Sequence, residues 1–95
     1  MTYYNKKLLD AARDRACVLC DTQDGTVVAA HSNALEHGRG FGHKTASYFT
    51  AYVCVRCHDL IDGRAGKLSK EEKREMWLRA WVKTVPIWFE EGIVK

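Results

Sequence analysis

Cys54-Val55-Arg56-Cys57-His58-Asp59-Leu60-Ile61-Asp62 decides how the rest of the chain is read. Its Cys-x-x-Cys pair has the spacing of a metal knuckle, a tight turn in which two sulfurs converge on one ion. Its His58 and Asp62 stand at i and i+4, one turn apart on a single helix face. Asp59 points about 100° away at 3.6 residues per turn, and ranks below Asp62 as a partner for His58. A second pair, Cys17/Cys20, matches the first, and no further cysteine is present. Two such pairs indicate a closed four-thiolate zinc site before disulfides in a reducing compartment. A redox motif would explain one pair, not two.

The 95 residues suffice for one small domain, of a size that often needs a staple such as a metal. A hydrophobic fraction of 46% with three Trp indicates a folded chain. No apolar run approaches membrane-spanning length. Met1-Thr2-Tyr3-Tyr4-Asn5-Lys6-Lys7 carries no apolar signal core, so a cytoplasmic location is expected. The formal charge of +3 falls by two, to +1, once four thiolates hold one Zn²⁺. Net charge is therefore weak support for a nucleic-acid partner, and the clustering of cations matters more.

Residues near Asn5 to Arg15 read as a helix, with Leu8, Leu9, Ala12 and Ala16 at helical spacing. It packs on the core or, alternatively, contacts phosphate through its basic faces. After the first knuckle, Asp24-Gly25 marks a turn and Thr26 to His31 a strand. Ser32 to Lys44 follow neither period; Gly38, Gly40 and Gly42 alternate with Arg39, Phe41 and His43. A loop of that length is usually functional or disordered, and its cations suit phosphate. It lacks the Gly-Lys-Ser/Thr ending of a P-loop. Ser47 to Val53 form an aromatic-rich strand, and a helix runs from Val55 to Asp62, with Gly63 suited to its C-terminal cap. Ser69 and Glu72 form a capping-box pattern. Met76, Trp77, Ala80, Trp81 and Thr84 then share a helix face that belongs to the core. Pro86 breaks this helix or starts another, and Ile87, Trp88 and Phe89 fold back on the core or form a dimer contact.

The 33 residues between Cys20 and Cys54 are strand, loop and strand, and the second knuckle opens a helix. With His31 ending the first strand and His58 opening the helix, this order resembles that of HNH, or ββα-metal, nucleases. Phosphodiester hydrolysis needs an activated water, a divalent ion and cations to hold the backbone. A His can take the water's proton, and His plus carboxylate can hold the ion. His31 is the candidate base, or else a ligand. His58 and Asp62 are candidate metal ligands, although a helix-cap His and a helix-terminal turn Asp would look the same. Lys44, Arg39, His43 and Asn33 are candidate nucleic-acid contacts, and Lys44 also a catalytic one; His37 reads as a loop histidine.

Cys17-x2-Cys20, Ala30-His31-Ser32-Asn33, Gly40-x-Gly42-x-Lys44, Cys54-x2-Cys57-His58-Asp59-x-Ile61-Asp62 and the tail Ile87-Trp88-Phe89-x-Glu91-Gly92-Ile93 together resemble the YbcO-like nucleases of lambdoid phages and prophages. The resemblance spans nearly the whole chain. It implies a small zinc-stapled α+β domain, treble-clef-like, covering 1–95. A ββα core occupies about 26–63, with flanking N-terminal and C-terminal helices, the latter about 69–91. The implied function is a metal-dependent DNA endonuclease in phage DNA recombination or processing, with structural Zn²⁺ and a catalytic Mg²⁺, Mn²⁺ or Ni²⁺. A histidine ligand favours the borderline metals. The chain departs from that pattern at Ala30, where many members carry an acidic residue or His, and at Ser47, near an Asp of related members. Two other readings stand beside it: an inactive zinc-knuckle protein that binds nucleic acid, and a protein-interaction module using the C-terminal aromatic segment, which could also form a homodimer.

Overall fold

The computed structural model describes residues 3–32, 46–64 and 66–94. Its elements, in order, are α1 (Lys6–Asp10), β1 (Val28–His31), β2 (Thr50–Val53), α2 (Val55–Asp62) and α3 (Lys70–Glu90). The two strands form an antiparallel sheet in which Val28 faces Val53 and His31 faces Thr50. The chain is thus a small α+β fold.

α1 is shorter than the sequence predicts. Asn5 caps it by accepting a hydrogen bond from Leu8 N at 3.0 Å, and Leu8 and Ala12 are buried as expected. Beyond Asp10 the chain turns instead, and Asp14 takes a left-handed φ of 61°. Five helical residues are too few to be stable alone. Long-range contacts fix the path of the chain after the turn: Arg15 forms a bidentate pair with Glu91, at 3.0 and 2.7 Å, and its guanidinium lies 5.3 Å from the Tyr52 ring centre.

Both strands are also shorter than predicted, because residues at their outer ends have other partners. Thr26 Oγ1 accepts from Val55 N at 3.2 Å and so serves the start of α2. Ser47 lies in a turn, where its Oγ accepts from Asn5 N at 2.9 Å. Every residue of β2 is buried. Its outer edge is covered: Val18 N donates to Tyr52 O at 3.1 Å, and Tyr52 N donates to Thr84 Oγ1 at 3.1 Å. A covered edge cannot pair with another chain.

α3 packs along β2 through Trp77, Ala80, Thr84 and Trp88, so the aromatic stripe is core. Ser69 and Glu72 form the expected capping box. Pro86 neither breaks α3 nor begins a new helix: it lies inside a continuous 21-residue helix. Proline removes one donor, to the carbonyl four residues back. That residue is Val82, which is 64% exposed, so water can serve its carbonyl. Trp88 then holds the far end of the helix, its Nε1 donating to Tyr52 Oη at 3.1 Å. Tyr52 Oη in turn donates to the Leu8 carbonyl, joining α1, β2 and α3 at one buried hydroxyl.

Thr84 is the test of this packing. Its buried hydroxyl accepts from Tyr52 N and donates to Ala80 O at 2.8 Å. Thr84→Val keeps the shape and orphans the Tyr52 amide, at a cost of about 1–3 kcal/mol. The denaturant midpoint is expected to fall accordingly, and Thr84→Ser should restore most of the loss.

Candidate functional site

The first knuckle is shaped by its backbone. Cys17 N donates to Thr22 O at 2.8 Å and Asp21 N to Cys17 O at 2.9 Å, with Asp21 at a left-handed φ of 66°. The second knuckle is the start of α2, where Cys54 is the N-cap and Cys57 faces inward. The four sulfurs lie within 4.8 Å of one another. Cys17 Sγ is 3.7 Å from Cys57 Sγ, and Cys20 Sγ is 3.5 Å from Cys54 Sγ, so each short distance bridges the two knuckles. Tetrahedral bonds of about 2.3 Å place sulfurs about 3.8 Å apart. The cluster therefore fits a four-thiolate metal site of the kind zinc occupies. A disulfide would need about 2.05 Å, and all four cysteines are free.

Electrostatics within the cluster are uneven. Burial pushes the Cys54 and Cys57 thiols up. Hydrogen bonding with Thr22, chiefly between the Cys20 thiol and the Thr22 hydroxyl 3.2 Å away, brings exposed Cys20 down to about 6. Beside the cluster opens a cleft of 410 Å³ lined by Leu19, Cys20, Cys57, Met76 and Arg79 among others.

α2 carries its second feature on the adjoining residues. His58 Nε2 is 3.1 Å from Asp62 Oδ2, with side chains 28% and 19% exposed. The expected pair on one helix face is therefore formed. α2 ends directly after Asp62, where Gly63 adopts φ 80° and its N–H donates to the Asp59 and Leu60 carbonyls. A carboxylate is disfavoured at that negative dipole end unless a cation compensates. Arg64 Nη2 is 4.0 Å from Asp62 Oδ2. Among the described residues the cysteines form the one group of three or more metal-ligand side chains, and the His58–Asp62 pair is not joined by a third.

His31 occupies an exposed position at the end of β1, opposite Thr50. Ala30 is 1% exposed and faces the core, where its carbonyl accepts from Trp77 Nε1 at 3.0 Å. Successive strand residues point to opposite faces. An acidic side chain at position 30 would therefore enter the core rather than join His31. Ser47 is likewise structural: it is 2% exposed and spends its hydroxyl on Asn5. Asn33, His37, Arg39, His43 and Lys44 lie outside the described residues. Three residues near the site were not legible as part of it. Thr22 acts on Cys20 and Thr26 on α2, and Arg64 lies beside Asp62. A hydroxyl two residues after Cys20 and a cation just beyond the Gly63 cap were the available signals.

A family model described as "Putative nuclease YbcO" matches residues 6–93. Two curated proteins are each 32% identical across 93% of this chain and 96% of their own length. They are "Putative nuclease YbcO" of Escherichia coli (strain K12) and "Putative nuclease ybcO" of Enterobacteria phage 82. A solved structure, "Structure of a putative bacteriophage protein from Escherichia coli str. K-12 substr. MG1655", is similar at a TM-score of 0.68 and 29% identity. That likeness covers 88% of this chain and 98% of the other. No helix among the described residues is long and apolar enough to cross a membrane.

Proposed function

From the premise that this chain belongs to the YbcO family of nucleases, we propose that it is a metal-dependent DNA endonuclease of HNH, or ββα-metal, type. Its role is phage or prophage DNA recombination or processing, in the cytoplasm of the host. The observation that carries this reading is the layout of α2: Cys57 in the thiolate cluster, and next to it His58 paired with Asp62 at 3.1 Å. One rigid helix thus holds a structural zinc ligand and a second candidate site.

In this reading Cys17, Cys20, Cys54 and Cys57 hold Zn²⁺, which fixes the angle between the hairpin and α2. His58 and Asp62 hold a divalent ion, Mg²⁺, Mn²⁺ or Ni²⁺, whose charge when bound offsets the negative charge of the phosphate. His31 takes the proton of the attacking water. Lys44 and Arg39, with His43 and Asn33, steady the DNA backbone. Arg64 adds a positive charge at the Asp62 end of α2. The inactive DNA-binding alternative draws support from Ala30, which supplies no ligand toward the site, and from the two-residue ligand set.

Plasmid cleavage by zinc-loaded protein with added Mg²⁺, Mn²⁺ or Ni²⁺ tests the proposal. Nicking that stops when the added metal is chelated and returns on its replacement is the expected result. Inactivity with every metal and intact DNA binding would favour the inactive binding protein. Absence of DNA binding at low salt would favour a protein-interaction module.

A further inference from the structure

A row of aromatic rings leads from the core to the surface at the His31 end of the hairpin. Trp77 and Trp81 stack at 5.9 Å, Trp81 meets Phe49 at 6.1 Å, Phe49 meets Tyr48 at 4.8 Å, and Tyr48 meets Tyr3 at 5.4 Å. Of the inner rings Trp77 is core, and Trp81 and Phe49 are partly buried against it. The outer two are open to solvent: Tyr3 is 43% and Tyr48 44% exposed, and neighbouring Tyr4 is 70% exposed. Folding leaves these large rings in water, yet their backbones are tied down. Ser47 N donates to Tyr3 O at 3.0 Å, and Trp81 Nε1 donates to Tyr48 O at 2.7 Å. Asn5 Nδ2 holds the Tyr3 hydroxyl at 2.9 Å.

The surroundings suit a polyanion. Exposed Lys6 and Lys7 follow one residue after Tyr4; Lys6 pairs with Asp10 at 3.7 Å, and Lys7 adds a second exposed cation. The row is also continuous with the candidate site, because Ser32 N, next to His31, donates to Phe49 O at 3.0 Å. Anchored aromatic faces beside cations bind single strands, because every base has a face to stack. Paired bases inside a duplex offer none.

We propose that Tyr3 and Tyr48 form a stacking platform for unpaired nucleobases beside His31. Resting on the nuclease reading, this makes the substrate class DNA with a single-stranded segment next to the scissile phosphate. Each stacked base contributes about 1–3 kcal/mol, or about 5- to 150-fold in affinity.

The test is fluorescence anisotropy of zinc-loaded protein, without added divalent metal, on labelled oligothymidylate and on a blunt duplex. Wild type is expected to prefer the single strand. Tyr48→Ala should lose about 5- to 150-fold on it while leaving duplex binding unchanged, and Tyr48→Phe should retain affinity. Photo-crosslinking wild type to 5-iodouracil-substituted oligomers, mapped by mass spectrometry, keeps the proposal testable if Tyr48→Ala does not fold. Adducts are expected at Tyr3, Tyr4 or Tyr48. Folded Tyr48→Ala with wild-type single-strand affinity, a wild-type preference for duplex, or adducts confined elsewhere would overturn the platform. So would a concentration-dependent dimer that Tyr48→Ala dissolves, which would assign the rings to a second copy. Binding is read without catalysis, so the two readings fail separately. Cleavage without stacking removes the platform alone, and stacking without cleavage removes the nuclease alone.

Discussion

Removing the metal from the four-cysteine cluster, or replacing Cys57 with Ser, is expected to abolish cooperative folding. Cys17, Cys54 and Cys57 are 1%, 3% and 5% exposed and belong to the hydrophobic core. The first knuckle is otherwise tied to β2 by the single amide of Val18. Four-cysteine zinc sites contribute about 10–16 kcal/mol of apparent binding free energy, whereas whole domains are stable by about 5–15 kcal/mol. Loss of the ion is therefore comparable to the whole margin of a chain this small. Burial raises the Cys54 and Cys57 thiols above their ordinary range, which favours their protonated form when no ion is bound. Metal binding must displace those protons, and affinity should fall as pH falls. Elemental analysis is expected to give one zinc per chain. Circular dichroism should show the melt vanish with a strong chelator and return with Zn²⁺. A zinc-free protein that melts cooperatively would overturn the assignment.

The sequence and the structure agree where a local signal suffices. α2 runs from Val55 to Asp62 because Cys54 caps one end and Gly63, in the left-handed region, ends the other. Ser69 and Glu72 start α3 as their spacing says. The thiolate cluster was legible because paired Cys-x-x-Cys motifs leave few other arrangements. Disagreements fall where a distant partner decides. Arg15 leaves helical geometry for Glu91, 76 residues away. Ser47 leaves the strand for Asn5, 42 residues away. Pro86 stays in α3 because Trp88 and Thr84 are held by Tyr52, and no window around Pro86 contains Tyr52. The roles of Ala30 and Ser47 required the side chains' directions, which spacing along a short strand does not give. Their burial moves the search for a further ligand away from both positions and toward groups facing the exposed end of α2.

His31→Ala is expected to lower DNA cleavage by about 10²- to 10⁴-fold while leaving the melting temperature near that of wild type. The fold should survive because His31 lies at the exposed end of β1, where its backbone rather than its ring maintains the ladder with Thr50. The variant also separates the two roles that His31 can play. A base acts on the proton of water, so its loss should lower kcat at saturating metal and flatten the rise of rate with pH near neutrality. A ligand acts through affinity, so its loss should raise the metal concentration needed for half-maximal rate. His58→Ala supplies the comparison. Its partner Asp62 is 3.1 Å away, and if the two hold the ion, removing His58 should shift the metal requirement upward. If His31 is the base, the two variants differ: His31→Ala changes the pH profile and His58→Ala changes the metal titration. If both shift the metal titration alike, His31 is a ligand and the base lies elsewhere. A His31→Ala protein that cleaves at the wild-type rate would remove His31 from the chemistry altogether.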